Sequence, residues 1–374
     1  MHFNKDQQAF LTLVRAGLWE EEAQLLQYGG IDYNSVYRLA REQSVTGLVA
    51  AGLEHVLDTK VPQEIALTFA GDSLQLEQRN TAMNAFIADL IGKMRSVDIY
   101  TLLVKGQGIA QCYERPLWRT CGDVDFLLSE INYQKAVNFL TPIANSIDEE
   151  HSYIRHLALT IGHWEVELHG TLRSKLGRRI DRVLDEVQNE VFCGGAVRSW
   201  RNNGAQIFIP RADEDVIFVF SHILQHFFNG GIGLRQICDW CRLLWTYRKT
   251  INHRLLESRI KKMGILSEWR AFAYLAVNTL GMPEEAMPMY SPSRKWQKKA
   301  RKVMSCIFET GNMGHNRDVT YRESSCLFKR KITTLYRVSR DSFHHFLIFP
   351  KDSIRVWWKI ITKGIFDTAR GKIS

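Results

Sequence analysis

Between residues 5 and 94 apolar side chains recur every three or four positions, as in Phe10, Leu11, Val14 and Leu18, and again in Met83, Phe86, Ile87, Leu90 and Ile91. That period lines one face of a helix and predicts a mostly helical first quarter, broken at Gly29-Gly30 and at Pro62. Near residue 99 the pattern changes. Residues 99–104 form a short β-rich run that Lys105 and Gly106 end, which predicts a strand feeding a turn. Residues 108–113 predict one or two helical turns, and residues 123–128 begin by alternating polar and apolar, the period of a half-buried strand.

Residues 133–140 read as the next helix, and residues 154–161 and 164–169 as two strands separated only by Gly162 and His163, the spacing of a tight hairpin. A second hairpin is predicted within 191–209. Pro210 and the acidic residues 213–215 then mark a helix start, and helical spacing continues to about Gly281. Pro283, Pro288 and Pro292 break the chain again. The expected class is α+β: a helical region over 1–95, a mixed α/β core over 96–211, a helical region over 212–290 and a basic helical tail over 291–374.

The chain has 374 residues, 45% hydrophobic and 24% charged, a balance that excludes a mostly disordered, collagenous or coiled-coil protein. Its net charge of +9 is unevenly placed. From residue 291 onward there are 19 Lys or Arg against 6 Asp or Glu, while the rest of the chain is slightly acidic. That asymmetry points to an anionic partner for the tail alone. The seven cysteines form no dense framework and read as reduced thiols, so a cytoplasmic protein is expected. The N-terminus lacks the pattern of a secretory signal, and no run approaches the roughly 20 apolar residues of a transmembrane segment.

The sharpest local feature is Asp123-Val124-Asp125. Residues two apart on a strand share a face, so the two carboxylates stand side by side and repel unless a divalent cation lies between them. Hard oxygen ligands suit Mg²⁺ or Mn²⁺. Upstream, Lys105-Gly106-Gln107-Gly108 follows a strand, and glycines there allow backbone N–H groups to approach a phosphate. Downstream, the strand 164–169 carries Glu165 and Glu167 on one face, with Val166 and Leu168 on the other. Either glutamate would supply a third carboxylate.

The run Leu102-Leu103-Val104-Lys105-Gly106, then Tyr113, Pro116, Arg119 and Gly122-Asp123-Val124-Asp125, then Val166-Glu167-Leu168-His169, resembles the uncharacterised bacterial nucleotidyltransferase family within the DNA polymerase beta superfamily. A looser match, His222 with Gly231, Arg235 and Asp239, extends the likeness. The resemblance implies a small mixed sheet with flanking helices. In it Asp123, Asp125 and Glu167 would hold Mg²⁺ (or Mn²⁺), and a nucleoside monophosphate would pass from a nucleoside triphosphate to an acceptor with loss of pyrophosphate. The usual superfamily turn is Gly-Gly or Gly-Ser, whereas Gln107 follows Gly106 here. A protein that kept the fold and binds nucleotide without transferring it is therefore the alternative.

Lys105 and Arg119 are candidates to neutralise a triphosphate, or else partners in salt bridges. His169 would orient Glu167, touch substrate, or sit as a satisfied half-buried histidine. His222, Arg235 and Asp239 are candidates for the acceptor pocket. His222 and His226 together with Cys238 and Cys241 can be drawn as a zinc site, but both pairs lie in helical pattern, where such spacing merely shares a face. In the tail, residues 294–302 and 354–363 mix cations with Trp357 and Trp358. They suit an anionic membrane or nucleic acid, or a helix that packs its Trp face on the body while its lysines stay in water.

Overall fold

A computed structural model describes residues 3–150, 154–174, 176–316 and 327–369. Arg317, Arg322, Arg370 and Lys372, counted in the basic C-terminal excess, and Cys326 lie outside the described residues.

Four helices open the chain: α1 (Lys5–Trp19), α2 (Tyr33–Glu42), α3 (Thr46–Glu54) and the 33-residue α4 (Gln63–Arg95). Asn4 caps α1 with a reciprocal capping box to Gln7, satisfying N–H groups the helix itself leaves open. Then come β1 (Leu102–Val104), α5 (Gly106–Ala110), β2 (Asp123–Leu127), α6 (Glu130–Leu140), β3 (Ser146–Ile147), β4 (His156–Ile161), β5 (Trp164–His169), α7 (Arg178–Phe192), β6 (Val197–Asn202) and β7 (Ala205–Pro210). Among the described residues there follow the helices α8 (Ala212–Asn229), α9 (Leu234–Thr246), α10 (His253–Met263), α11 (Leu266–Asn278), α12 (Arg294–Thr310), α13 (Leu327–Phe346) and α14 (Pro350–Ala369). No helix among the described residues is long and apolar enough to cross a membrane.

The seven strands among the described residues make one mixed sheet in the order β3-β4-β5-β2-β1-β7-β6. Pairing is parallel between β2 and β5 and between β1 and β7, and antiparallel elsewhere. Strand alternation divides the side chains between two cores. Leu103, Val124, Phe126, Val166, Leu168, Ile207 and Ile209 pack with Met83, Ile87, Leu90, Ile91 and Met94 of α4 and with Tyr133 and Ala136 of α6. Leu102, Val104 and Leu127 join the larger core, which runs from α1 through α8, α9 and α11 to α12. The polar members of β2 and β5 therefore face the helical side opposite α4.

Helix α7 occupies a stretch for which no element was expected and overlaps the start of the hairpin expected over 191–209. Ile180, Val183, Leu184, Val187 and Val191 are buried at helical spacing, so the period was present in the sequence, and the hairpin begins only at Val197. From residue 291 onward the expected tail is in part core, since Val303, Met304 and Ile307 of α12 are buried.

Close backbone contact fixes the helices around the site loop. A Cβ on Gly17 would lie 1.9 Å from the Leu48 carbonyl oxygen, one on Gly52 2.0 Å from that of Leu13, and one on Gly47 2.0 Å from that of Trp118. Helix α3 thus touches α1 on one side and the segment leading to Arg119 on the other. Since backbone cannot yield as a side chain does, Gly17→Ala is expected to cost about 1–3 kcal/mol. The check is chemical denaturation, with a lower midpoint at unchanged slope.

Candidate active site

The sheet register assembles the site. In the β2–β5 pair Asp123 stands beside Glu165, Asp125 beside Glu167, and Leu127 beside His169. In the β4–β5 hairpin His156 lies opposite His169 and Ala158 opposite Glu167. Because alternate residues share a face, Asp123, Asp125, Glu165, Glu167, His169 and His156 all rise from the same side of three adjacent strands. Carboxylate oxygens of Asp123, Asp125 and Glu167 come within 4.8 Å of one another. Glu165 is exposed at the rim. Of the two glutamates left open by the strand pattern, Glu167 is the one that joins the cluster.

Lys105 enters this cluster from the end of β1. Its backbone takes φ 58° and ψ −145°, a conformation that side-chain-bearing residues rarely adopt, and Gly106 follows at φ 40°. The strained turn delivers the ammonium to Asp125, with Nζ 2.6 Å from Oδ1. Burial by itself would make Lys105 easier to deprotonate, but Asp125, Glu167 and Asp123 outweigh it and hold the amine charged. His169 Nε2 reaches the same Asp125 oxygen at 2.8 Å and Glu167 Oε2 at 3.3 Å, and His156 Nε2 meets Glu167 Oε2 at 3.0 Å.

The titration of each group reflects that crowding. Repulsion from Asp125, then burial, raises Asp123 above the ordinary carboxylate range. Burial, then Asp123 and Glu167, raises Glu165. Glu167 goes the other way: burial opposes its ionisation, but hydrogen bonds from His156 and His169 and the charge of Lys105 pull it well down. His169 is raised, since its bonds to Asp125 and Glu167 overcome burial and Lys105. A carboxylate destabilised by its neighbour in a half-dry site is a fit place for a divalent cation, which would turn the Asp123–Asp125 repulsion into shared coordination.

A cavity of about 260 Å³ opens above the cluster, bordered by Lys105, Asp123, Glu167 and His169 and walled by α8. A narrower pocket of about 50 Å³ continues from it past Gly106, Arg119, Arg235 and Asp239. His222 and Met313 border both. The expected acceptor-pocket residues are therefore brought beside the carboxylates, and the narrow pocket is where Arg235 and Asp239 lie.

Three of the expected nucleotide-binding residues have protein partners of their own. Gln107 is buried with Nε2 bonded to Asn80 Oδ1 at 2.7 Å, and Asn80 also donates to the carbonyls of Leu117 and Arg119. Gly108 faces Ile209. These two are internal braces, because the first turn of α5 directs them toward α4 and β7 and only Lys105 and Gly106 toward the cavity. Arg119 borders the narrow pocket, but its fork is taken by Asp239, with Nε–Oδ1 and Nη2–Oδ2 both 2.7 Å, and Tyr113 donates to the same carboxylate at 2.8 Å. Cys238 and Cys241 are buried in the helical core with thiols pushed up by burial, while His222 and His226 face the cavity, so no joint zinc site forms.

Residues that the strand and motif reading did not single out are His156 and Met313. His156 was legible: with Gly162 and His163 as the turn, hairpin arithmetic pairs 156 with 169. Met313 arrives from beyond α12, over a distance no local pattern spans.

A carboxylate cluster on a mixed sheet, beside a strand-to-helix glycine turn and a lysine, defines a nucleotidyltransferase-like α+β protein. The chain belongs to the family described as uncharacterised nucleotidyltransferase, whose sequence profile matches residues 29–281. Among solved structures it is similar to an antigenic nucleotidyltransferase-like protein from Paracoccidioides brasiliensis, with 13% identity, 53% of this chain and 92% of that chain covered, and a TM-score of 0.32. No curated protein matches the chain.

His222 and His226 give a pH test of this pocket. Their Nε2 atoms are 2.8 Å apart, a bond in which at least one ring must be neutral to accept. Burial, then Lys105, lowers His226 to about 4, and burial with Lys105 and His226 lowers His222 further below its usual value. Between pH 6.5 and about 4 the unfolded chain therefore binds protons the folded chain refuses, and stability falls as pH falls through that window. His226→Gln is expected to flatten the fall in denaturation midpoint between pH 6.5 and 4, measured relative to its own value at pH 8.

Proposed function

We propose that this protein is a metal-dependent nucleotidyltransferase that moves a nucleoside monophosphate from a nucleoside triphosphate to an acceptor, a sugar, another small molecule or a protein side chain, releasing pyrophosphate. The reading is carried by one observation: parallel pairing of β2 with β5 sets Asp125 beside Glu167, so that these two and Asp123 converge at the mouth of a cavity. Asp123, Asp125 and Glu167 would hold Mg²⁺ or Mn²⁺. Such an ion neutralises polyphosphate oxygens and aligns an in-line displacement.

The chain's own groups supply the rest. Lys105, charged and aimed into the site, offsets the triphosphate, and the turn at Gly106 lets backbone approach it. Glu167, with its proton affinity pulled down, is suited to holding a cation and poorly suited to accepting a proton. Arg119 and Asp239 fix the floor of the narrow pocket, where Arg235 reaches the Thr120 carbonyl at 2.9 Å. Asp123→Asn is expected to abolish Mg²⁺-dependent incorporation of labelled nucleotide. The denaturation midpoint should be equal or higher, since the substitution relieves repulsion with Asp125. Full incorporation by that variant would remove the assignment.

The inward turn of Gln107 favours a second reading, a regulator that binds nucleotide without transferring it. Screening the four ribonucleoside triphosphates against pooled acceptors separates the two, because pyrophosphate release belongs to the first and calorimetric binding without release to the second.

We further propose that α13 and α14 rest on an anionic membrane surface. Tyr336, Phe343, Phe346, Leu347, Ile354 and Trp358 are exposed, and Phe343, Phe346 and Ile354 line one shallow groove between the two helices, amid Arg337, Arg340, Lys351 and Arg355. Ile348, Phe349 and Val356 tie the pair to the body, and α12 belongs to the core, so point substitutions on α13 and α14 test this without disturbing the fold. Phe343→Ser with Trp358→Ser is expected to reduce salt-sensitive co-sedimentation with anionic liposomes. Equal sedimentation, or equal binding to neutral liposomes, would reject it.

A further inference from the structure

Glu167 has a second side. Its Oε2 is met by two imidazole nitrogens, His156 Nε2 at 3.0 Å and His169 Nε2 at 3.3 Å. The donor atoms of these three residues all lie within 4.8 Å of one another. Bonds of about 2.0–2.1 Å to a tetrahedral or octahedral ion give donor separations of about 2.8–3.4 Å, a range that includes both His–Glu distances.

We propose that His156, His169 and Glu167 form a metal site of their own, selective for a borderline-soft first-row ion of the zinc class over magnesium. It shares Glu167 with the carboxylate site proposed above and rests on that reading only to this extent. Imidazole suits zinc, iron or nickel, whereas magnesium takes oxygen donors and keeps its waters. Three protein donors with the remaining positions turned to the cavity is the pattern of an open site. The rigidity comes from the sheet: His156 and His169 are direct cross-strand partners, and Glu167 precedes His169 by two on the same face. The rings lie 4.9 Å apart and tilted at 52°, so both edges reach Glu167. Binding exchanges the His169–Asp125 hydrogen bond of 2.8 Å for ligation and leaves Asp125 to Lys105 and to the neighbouring cation site.

The full chain, stripped with chelator, is dialysed against Zn²⁺ or Co²⁺ with millimolar Mg²⁺ present. Stoichiometry and the visible Co²⁺ spectrum are read for the wild type, Asp123→Asn, His156→Ala and His156→Gln. The expected result is one equivalent of Zn²⁺ or Co²⁺ that survives Mg²⁺ competition and is retained in Asp123→Asn. In the His156 variants its affinity falls at least about tenfold, with an unchanged circular dichroism spectrum. The glutamine variant keeps the test available should the alanine variant misfold. Equal affinity in wild type and both His156 variants, or complete displacement by Mg²⁺, would overturn the site. Failure of the carboxylate reading registers elsewhere, as Mg²⁺-dependent incorporation that survives Asp123→Asn.

Discussion

Asp123, Asp125 and Glu167 stand on one poorly hydrated face of a sheet, and their mutual repulsion is the constraint around which the neighbouring chain is arranged. Lys105 is held in a strained backbone conformation with its ammonium against Asp125, and His156 and His169 hydrogen-bond to the carboxylates from the flanking hairpin. Each of these groups lowers the cost of keeping negative charge out of water. The compensation is unequal, for Glu167 is pulled down while Asp123 stays raised. That inequality separates a carboxylate already satisfied by protein from one whose best partner would be a cation.

The scaffold holds this arrangement through polar contacts with full desolvation. Arg119 and Asp239 form a two-pronged bond across 120 residues of sequence, joining the loop before β2 to α9. Asn80 binds the same loop from α4 through two carbonyls, and its own oxygen takes Gln107. Breaking one partner of a buried ion pair typically costs about 3–5 kcal/mol, because the other charge is stranded. The loop that carries the chain into Asp123 is accordingly fixed on both sides of the sheet.

The strand bearing Asp123 and Asp125, the Gly162-His163 hairpin and the long helical run starting at Ala212 were legible because period and turn chemistry act over a few residues. Helix α7 was equally legible from the spacing of Ile180, Val183, Leu184 and Val187, and it runs to Phe192, so the hairpin expected from 191 starts at Val197. His156 follows from the hairpin register. Strand period alone left Glu165 and Glu167 open, since both share a face; the family likeness favoured Glu167, and the β2–β5 register sets it beside Asp125.

By itself the amino-acid sequence determined the class of fold, the family likeness and the two aspartates facing one way, because these depend on spacing along a strand or helix. Tertiary structure decided what each charge does. Arg119 met Asp239 instead of open solvent, Gln107 turned inward to Asn80, two histidines converged on Glu167, and Met313 reached the cavity from beyond α12. Electrostatic partners are chosen by distance in space and by the water that remains between them, and neither quantity is a property of separation along the chain.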